Sequence, residues 1–147
     1  MTTNRPVAPH PEAPLAPLRI LVAEDQRIQR AYMVDLVSTD GDVVFEAATA
    51  HEAIKLAVQH RPDLILLDGL LPGMHGFEVA RFVRSIAGDY HPCIVMTTAV
   101  YKHMRYRNEA KLRYGVDEYL LKPIDEQALG AIVKSTRSAH GAANEVP

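Results

Sequence analysis

The feature that most restricts the fold of this chain is an alternation of short apolar runs with segments of helical periodicity. Five runs of strand length begin at Leu18, Val43, Leu64, Cys93 and Glu118, and amphipathic stretches separate them. Strands that alternate with helices form parallel sheets, because each helix returns the chain to the starting edge of the sheet. The pattern predicts an α/β fold, a doubly wound sheet of five parallel strands between two layers of helices.

The helical stretches follow the strands in order. Thr49 is a suitable N-cap for the second helix, which we expect to end before Pro62 because proline cannot continue a helix. The third helix is expected after a loop at 69–76. The five predicted helices lie at 28–36, 50–61, 77–86, 102–114 and from about 125 onward.

Composition favours one folded domain with short flanking segments. The chain has 147 residues, of which 48% are hydrophobic and 23% charged, values typical of a globular domain. Five of the ten prolines fall within the first seventeen residues. We therefore expect a disordered Pro-rich tail at 1–17, a folded domain at 18–139 and a short C-terminal tail at 140–147.

Charge and cysteine content exclude several classes of protein. The 16 basic and 18 acidic residues leave a net charge of −2, so the chain as a whole offers no positive field for nucleic acid or a membrane surface. The single cysteine, Cys93, cannot form an intrachain disulfide. No apolar run approaches the roughly 18 residues that a membrane span requires, and the expected location is cytoplasmic.

Polar side chains follow four of the five predicted strands. Glu24 and Asp25 follow the first strand, Asp68 the third, Thr98 the fourth and Lys122 the fifth. Parallel strands end at a common edge, so these side chains are expected to meet in one cleft. Each has an ordinary explanation alone: a helix cap for Asp25, a turn for Asp68, a solvated lysine for Lys122. Together, three carboxylates need a counter-charge, and oxygen ligands beside a lysine suit Mg²⁺ and a phosphoryl anion.

Four segments at these strand ends resemble the receiver domain of bacterial two-component response regulators. They are 21–25 (LVAED), 67–78 (LDGLLPGMHGFE), 97–99 (TTA) and 115–123 (GVDEYLLKP). The resemblance covers about 18–139 and implies a flavodoxin-like (βα)5 fold with strand order 2-1-3-4-5. It also implies a phosphorelay response regulator, which catalyses its own phosphorylation and dephosphorylation and is otherwise not an enzyme.

The resemblance implies a role for each polar residue at the edge. Asp68 corresponds to the phosphoacceptor, which takes the phosphoryl group of a histidine kinase or a phosphotransfer protein. Thr98 and Lys122 correspond to the residues that bind this group, so positioning and charge neutralisation would supply most of the catalysis. Mg²⁺ is the implied cofactor, held by Glu24, Asp25, Asp68 and the backbone carbonyl of Leu70.

A conformational switch and an output surface are implied as well. Thr98 and Tyr119 correspond to the switch pair, in which the aromatic ring turns inward when the threonine moves toward the phosphoryl group. The bond before Pro123 is typically cis in this family. A downstream protein target is expected on the face formed by helix four, strand five and helix five. A phosphorylation-linked homodimer is left open, and no direct nucleic-acid or membrane partner is expected.

Several positions differ from the commonest form of the family. Glu24 replaces an aspartate, and His75 replaces the aspartate that would cap the third helix, a change expected to cost a cap of about 1 kcal/mol. Leu70 and Val100 occupy the two positions that tune water attack on the acyl phosphate. Both are apolar and cannot orient a water molecule, so we expect slow self-dephosphorylation.

The segment 101–113 is basic and interleaved with aromatic residues, with five Lys or Arg against one acid. A nucleic-acid patch and a solvated helix face both fit this composition. Because the chain lacks an overall positive charge, a partner or dimer surface is the favoured functional interpretation.

Other functions are excluded or left open by specific residues. A phosphatase of the haloacid-dehalogenase type needs a second acid two residues after its aspartate, where Leu70 stands. The loop after the first strand lacks the hydroxyl- and glycine-rich sequence of flavodoxin, and the Rossmann motif is absent. Two alternatives stay open: a receiver-like adaptor that works without phosphorylation, and a receiver fragment of a larger regulator or hybrid kinase.

Overall fold

The computed structural model describes residues 16–86, 88–99 and 114–144 of the chain. Its centre is a parallel sheet of five strands, β1 (Arg19–Ala23), β2 (Val43–Ala47), β3 (Leu64–Asp68), β4 (Cys93–Thr98) and β5 (Glu118–Leu121). The strands lie in the order β2-β1-β3-β4-β5, which confirms the predicted fold and strand order. β3 and β4 extend into Asp68 and Thr98, so the sheet itself holds these two polar residues.

Helices lie on the sheet between and after the strands. They are α1 (Arg27–Val37), α2 (Ala50–His60), α3 (Gly76–Arg84) and a C-terminal helix (Glu126–Asn144). Thr49 caps α2 as predicted, because its Oγ1 accepts a hydrogen bond from the Glu52 amide at 3.2 Å. No helix within the described ranges combines enough length and apolar character to cross a membrane.

Some predictions concern residues that the structure does not describe. Apart from Tyr114, the helix expected at 102–114 lies outside the described residues, and so do Val100, residues 1–15 and residues 145–147. The C-terminal helix continues past residue 139 to Asn144, and the expected tails at 1–17 and 140–147 stay predictions.

Each face of the sheet packs against its own set of helices. Leu21 and Ile65 belong to a core cluster that includes residues of α2 and α3. Their neighbours Ile20 and Leu66 belong to a second cluster, with residues of α1 and the C-terminal helix. β3 is buried along its whole length, as a central parallel strand covered on both faces should be.

The loop expected at 69–76 contains a small hairpin, Leu70–Leu71 paired with Met74–His75, just before α3. His75 is the N-cap residue of α3, and its Nδ1 accepts a hydrogen bond from the Phe77 amide at 3.3 Å. The expected loss of a cap at His75 is therefore wrong. An unprotonated imidazole nitrogen can accept the same amide that an aspartate oxygen would accept.

At the amino-terminal edge of the sheet, an ion pair ties the C-terminal helix to the start of the fold. Arg137 donates to both carboxylate oxygens of Asp42, at 2.8 and 2.9 Å, and to the Ala16 carbonyl at 3.0 Å. The Asp42 carboxylate also accepts hydrogen bonds from the amides of Leu18 and Thr39. Burial alone would raise the pKa of Asp42, but these hydrogen bonds hold it well below its usual range. The pair therefore stays charged at neutral pH.

The variant Asp42→Asn tests how much this ion pair stabilises the fold. It leaves the Arg137 guanidinium without its counter-charge, so the free energy of unfolding at neutral pH should fall by about 2 kcal/mol. Because folding lowers the pKa of Asp42, its contribution is present above the usual aspartate range and is lost as the pH falls toward the folded-state value. Urea unfolding at neutral and acid pH measures both effects.

Asp40→Asn is the matched control, because Asp40 is exposed on the same turn. Its unfolding curve should coincide with that of the wild type. Equal stability of wild type and Asp42→Asn at neutral pH would contradict this account of the edge.

Candidate functional site at the carboxyl edge of the sheet

The polar residues predicted to meet at one edge of the sheet do lie at the same edge. In the parallel register, Asp68 lies beside Thr97, and Thr98 lies beside Leu121. The residues that directly follow β1 and β5 continue at this level. The edge thus gathers Glu24, Asp25, Asp68, Thr98 and Lys122.

A single ammonium group bridges two of the carboxylates. Lys122 Nζ lies 3.1 Å from Asp68 Oδ2 and 3.3 Å from Glu24 Oε1. Glu24 is 1% exposed and Asp68 is 6% exposed, so water and salt screen these charges only weakly. The Lys122 charge offsets much of the repulsion that two buried carboxylates would otherwise experience.

Asp25 completes a group of three acids. Glu24, Asp25 and Asp68 each offer a carboxylate oxygen that lies within 4.8 Å of those of the other two. Asp25 is exposed while the other two are buried, so the group is reached from solvent on the Asp25 side. An all-oxygen donor set of this kind fits a hard divalent cation, and Mg²⁺ commonly takes one or two carboxylates and completes its shell with water and phosphate oxygens.

The protonation states of the bridged groups depend on one another. Burial and a hydrogen bond with Asp68 raise the pKa of Glu24 from its usual 4.5 to about 7. Burial alone would also raise the pKa of Asp68, but hydrogen bonds with Glu24, the Leu70 amide and Lys122 hold it below its usual value. Near neutral pH, the cation-free site has an ionised Asp68, a charged Lys122 and a Glu24 that is only partly ionised.

Glu24 is held at each of its polar groups. Its amide donates to the Ala47 carbonyl of β2 at 2.9 Å, and its carbonyl accepts a hydrogen bond from Arg30 Nη1 at 2.8 Å. Its Oε2 accepts from the Asp25 amide at 3.0 Å, while Oε1 contacts Lys122. Arg30 is not among the residues that the sequence predicts for the site. No local pattern marks a contact between residues six positions apart across a strand–helix loop.

Gly76 lets the first turn of α3 approach the backbone of Asp68. A Cβ at position 76 would lie 2.7 Å from the Asp68 carbonyl oxygen and 2.8 Å from Gly69 Cα. The Gly76 amide donates to the Gly69 carbonyl at 3.0 Å. A larger residue would push α3 away from the end of β3. This steric clash explains why a glycine stands at position 76 of the 67–78 motif.

The predicted switch residues Thr98 and Tyr119 lie in β4 and β5, the two strands that follow β3 in the sheet. Thr98 is 1% exposed, and its backbone carbonyl accepts a hydrogen bond from the Lys122 amide at 2.9 Å. Tyr119 is 3% exposed and belongs to the core cluster on the α2 and α3 face, so its ring already lies inward in this structure. The Lys122–Pro123 peptide bond is cis, as the resemblance implies.

Of the two positions predicted to tune dephosphorylation, the structure describes one. Leu70 is 50% exposed, and its amide donates to Asp68 Oδ1 at 3.0 Å. The apolar Leu70 side chain is therefore solvent-exposed two residues after Asp68, to which the Leu70 backbone is hydrogen-bonded. Val100 and the basic segment 101–113 lie outside the described residues.

A separate groove of about 740 Å³ lies between the C-terminal helix and the starts of β4 and β5. Cys93, Asp117 and His140 are among the residues that line it, and none of the predicted site residues does. The groove is at the amino-terminal edge of the sheet, opposite the acids, and has no part in the site described above.

Known proteins resemble the chain over most of its length. A sequence model of the family described as "Response regulator receiver domain" matches residues 20–134. Transcriptional regulatory protein AfsQ1 of Streptomyces coelicolor is 34% identical over 124 residues, which cover 81% of this chain and 50% of that protein. Protein PilH of Pseudomonas aeruginosa is 30% identical over 112 residues, which cover 76% of this chain and 90% of that protein. The chain thus spans about half the length of AfsQ1 and most of the length of PilH.

Solved structures share the fold. The REC domain of AraT, a response regulator from Geobacillus stearothermophilus, is 28% identical with a TM-score of 0.71, and the match covers 88% of this chain and 100% of that one. The chemotaxis response regulator CheY4 of Vibrio cholerae is 24% identical with a TM-score of 0.72, covering 82% and 99% of the two chains. At that identity, CheY4 supports the fold alone.

The raised pKa of Glu24 predicts an unusual pH dependence of stability for the cation-free protein. Between the usual pKa of 4.5 and the folded value of about 7, the folded state binds more protons than the unfolded state. The free energy of unfolding should therefore fall as the pH rises through this window and then level off. Urea unfolding with a chelator present, at several pH values from 4.5 to 8, measures the slope.

Glu24→Gln is the matched variant, because it keeps the size of the side chain and removes the titration. Its stability should depend less steeply on pH across the same window. A wild-type stability that rises with pH between 5 and 7, or a slope that survives in Glu24→Gln, would contradict the assignment.

Proposed function

The chain belongs to the response regulator receiver domain family of two-component systems, and we propose that Asp68 is its phosphoacceptor. The phosphoryl donor would be a histidine kinase or a phosphotransfer protein. One observation carries the proposal: the Lys122 ammonium lies 3.1 Å from Asp68 Oδ2, at the edge of the sheet where the polar residues of four strand ends meet. A lysine held between two carboxylates is already placed to pair with an anion that forms on one of them.

The proposed chemistry is a transfer between two nucleophiles. A carboxylate oxygen of Asp68 attacks the phosphorus, the bond from phosphorus to the donor histidine breaks, and the histidine nitrogen keeps the electron pair and takes up a proton. The low pKa of Asp68 supports this role, since the carboxylate is ionised at neutral pH. Lys122 would then pair with the phosphoryl oxygens, and the Thr98 hydroxyl would donate a hydrogen bond to them.

The donor set fits Mg²⁺ as the cofactor. Carboxylate oxygens of Glu24, Asp25 and Asp68 lie within 4.8 Å of one another, and the backbone carbonyl of Leu70 is proposed as a further ligand. Burial, and after it the neighbouring Asp68, raise the pKa of Glu24 to about 7 when no cation is present. A bound Mg²⁺ would neutralise charge on the transferring phosphoryl group.

The proposed output is a change at the fifth strand and its neighbours. The Lys122 amide donates to the Thr98 carbonyl, so β4 and β5 are tied together directly beside Asp68. A shift of Thr98 and Lys122 toward a phosphoryl group would alter the packing around Tyr119, a local charge event with a wider structural effect. The proposed target, or a second copy of the chain, would bind the surface of the 102–114 segment, β5 and the C-terminal helix.

Phosphorylation by a small-molecule donor tests the proposal. The wild type is incubated with acetyl phosphate and Mg²⁺ and its intact mass is measured. We expect one phosphoryl group per chain, no uptake by Asp68→Asn, which keeps the shape but not the nucleophile, and uptake by the exposed control Asp40→Asn equal to that of the wild type. Chelation of Mg²⁺ should slow the reaction at least about tenfold.

Two results would contradict the proposal. Uptake by Asp68→Asn at the wild-type rate would place the acceptor elsewhere. Absence of uptake by the wild type, together with an NMR spectrum unchanged by beryllofluoride and Mg²⁺, would favour an adaptor that works without phosphorylation.

The lifetime of the phosphorylated state gives a second prediction. Leu70 is half-exposed next to the acceptor and its side chain cannot orient a water molecule, so self-dephosphorylation should be slow. Leu70→Asn introduces a polar group at this position and should speed the decay roughly tenfold. This is less than the rate acceleration that a well-positioned general base supplies. Val100→Glu is expected to act in the same direction.

Leu70→Met is the matched control, because it keeps an apolar side chain of similar size. Its phosphorylated form should decay at the wild-type rate. The decay is followed on a phosphate-affinity gel after the donor is removed. Equal or slower decay in Leu70→Asn and Val100→Glu would overturn the prediction.

A further inference from the structure

We infer that Arg30 is a positioning residue for the acidic pair. It holds the peptide between Glu24 and Asp25 in the orientation that directs both carboxylates to the carboxyl edge of the sheet. The consequence for cation binding rests on the function proposed above, whereas the geometry rests on contacts among described residues.

The Arg30 guanidinium is fixed in two directions. Its Nη1 donates to the Glu24 carbonyl oxygen at 2.8 Å, and its Nε donates to Glu46 Oε1 at 3.2 Å. The Arg30 side chain is only 18% exposed, although its partner Glu46 is 51% exposed. A planar guanidinium with fixed donor directions that is held on two sides cannot turn without breaking one of these bonds.

The two hydrogen-bonding groups of the peptide between Glu24 and Asp25 are both occupied. Its carbonyl accepts from Arg30, and its N–H donates to Glu24 Oε2 at 3.0 Å. Because a peptide unit is planar, the bond from Arg30 on one side sets the direction of the N–H on the other. The Glu24 carboxylate is thereby kept where its second oxygen meets Lys122.

β2 supports the Arg30 contact and Glu24 together. Glu46, which binds Arg30, directly precedes Ala47, whose carbonyl accepts the Glu24 amide at 2.9 Å. Arg30 thus closes a ring of contacts that runs from Glu24 through β2 and back through α1. A displacement of the loop after β1 would have to break this ring.

The start of α1 has no other side-chain tie to this loop among the described residues. Its N-cap residue, Gln26, makes no side-chain capping bond, and no acidic residue lies in its first turn. The hydrogen bond from Arg30 therefore replaces a capping interaction as the link between the helix and the acid-bearing loop.

Arg30 acts through Glu24 and Asp25 and does not take part in the chemistry. Its guanidinium donates to the Glu24 backbone carbonyl and to Glu46, not to the carboxylates of the site. Loss of a residue that orients metal ligands in this way typically weakens metal binding about 10–100-fold.

The test begins with a measurement that needs no cation. In Arg30→Met the apolar stem is kept and both donors are lost, so the Asp25 amide should exchange its hydrogen at least about tenfold faster, while the midpoint of urea unfolding stays unchanged. The second measurement is an NMR titration with Mg²⁺, in which the variant should bind about tenfold more weakly than the wild type.

Two further variants separate geometry from charge. Arg27→Met removes the same charge from an exposed position on α1, and both its Asp25 exchange and its Mg²⁺ affinity should match the wild type. Arg30→Lys keeps the charge but its single ammonium cannot reproduce the fork, so it should show most of the loss seen in Arg30→Met.

The outcomes are distinguishable from those of the proposed function. Unchanged exchange of the Asp25 amide in Arg30→Met overturns the inference whether or not Mg²⁺ binds. An equal loss of Mg²⁺ affinity in Arg27→Met also overturns it, since the effect would then be one of charge alone. If the wild type binds no Mg²⁺ and accepts no phosphoryl group, the proposed function fails, and the exchange measurement still decides on Arg30.

Discussion

The structure depends on one electrostatic constraint: buried carboxylates converge at a single edge of the sheet, and one ammonium group lies between two of them. Lys122 contacts Glu24 and Asp68, both of which are almost fully buried. Desolvation alone would favour the neutral form of both acids. The pKa values of the two acids therefore move in opposite directions: the pKa of Asp68 is lowered, so it stays ionised, and the pKa of Glu24 is raised. The site thus separates a ready nucleophile from a carboxyl group that ionises only near neutral pH.

The parallel fold produces this convergence without any local sequence proximity. Apolar residues of the described core fill both faces of the sheet, so the polar side chains of its central strands lie at or next to the strand ends. Asp68 is the last residue of β3, Glu24 directly follows β1 and Lys122 directly follows β5. Glu24 and Lys122 are 98 residues apart in the chain and meet at this edge. Gly76 then allows the first turn of α3 to approach the Asp68 backbone closely.

The fold and the polar residues that meet at the edge of the sheet were predictable from the sequence, because both follow from local sequence patterns. Apolar runs and helical spacing indicate the strands and a parallel sheet, the resemblance to receiver domains implies the strand order, and the polar residues after four of the runs mark the edge. The pairing of side chains was not predictable in the same way. That Lys122 would bridge Glu24, that Arg30 would hold the Glu24 carbonyl and that Arg137 would bind Asp42 all depend on packing between distant segments. His75 was mispredicted because an imidazole nitrogen can cap a helix when it is unprotonated.

The most direct test of Asp68 as the phosphoacceptor is a structure of the protein with Mg²⁺ and beryllofluoride, which mimics a phosphoryl group on an aspartate. We expect beryllofluoride bonded to the Asp68 carboxylate, with Lys122 and Thr98 in contact with its fluorine atoms. We also expect the cation to lie among Glu24, Asp25, Asp68 and the Leu70 carbonyl. A structure in which saturating beryllofluoride leaves Asp68 unmodified, with Lys122 still between Asp68 and Glu24, would contradict this assignment.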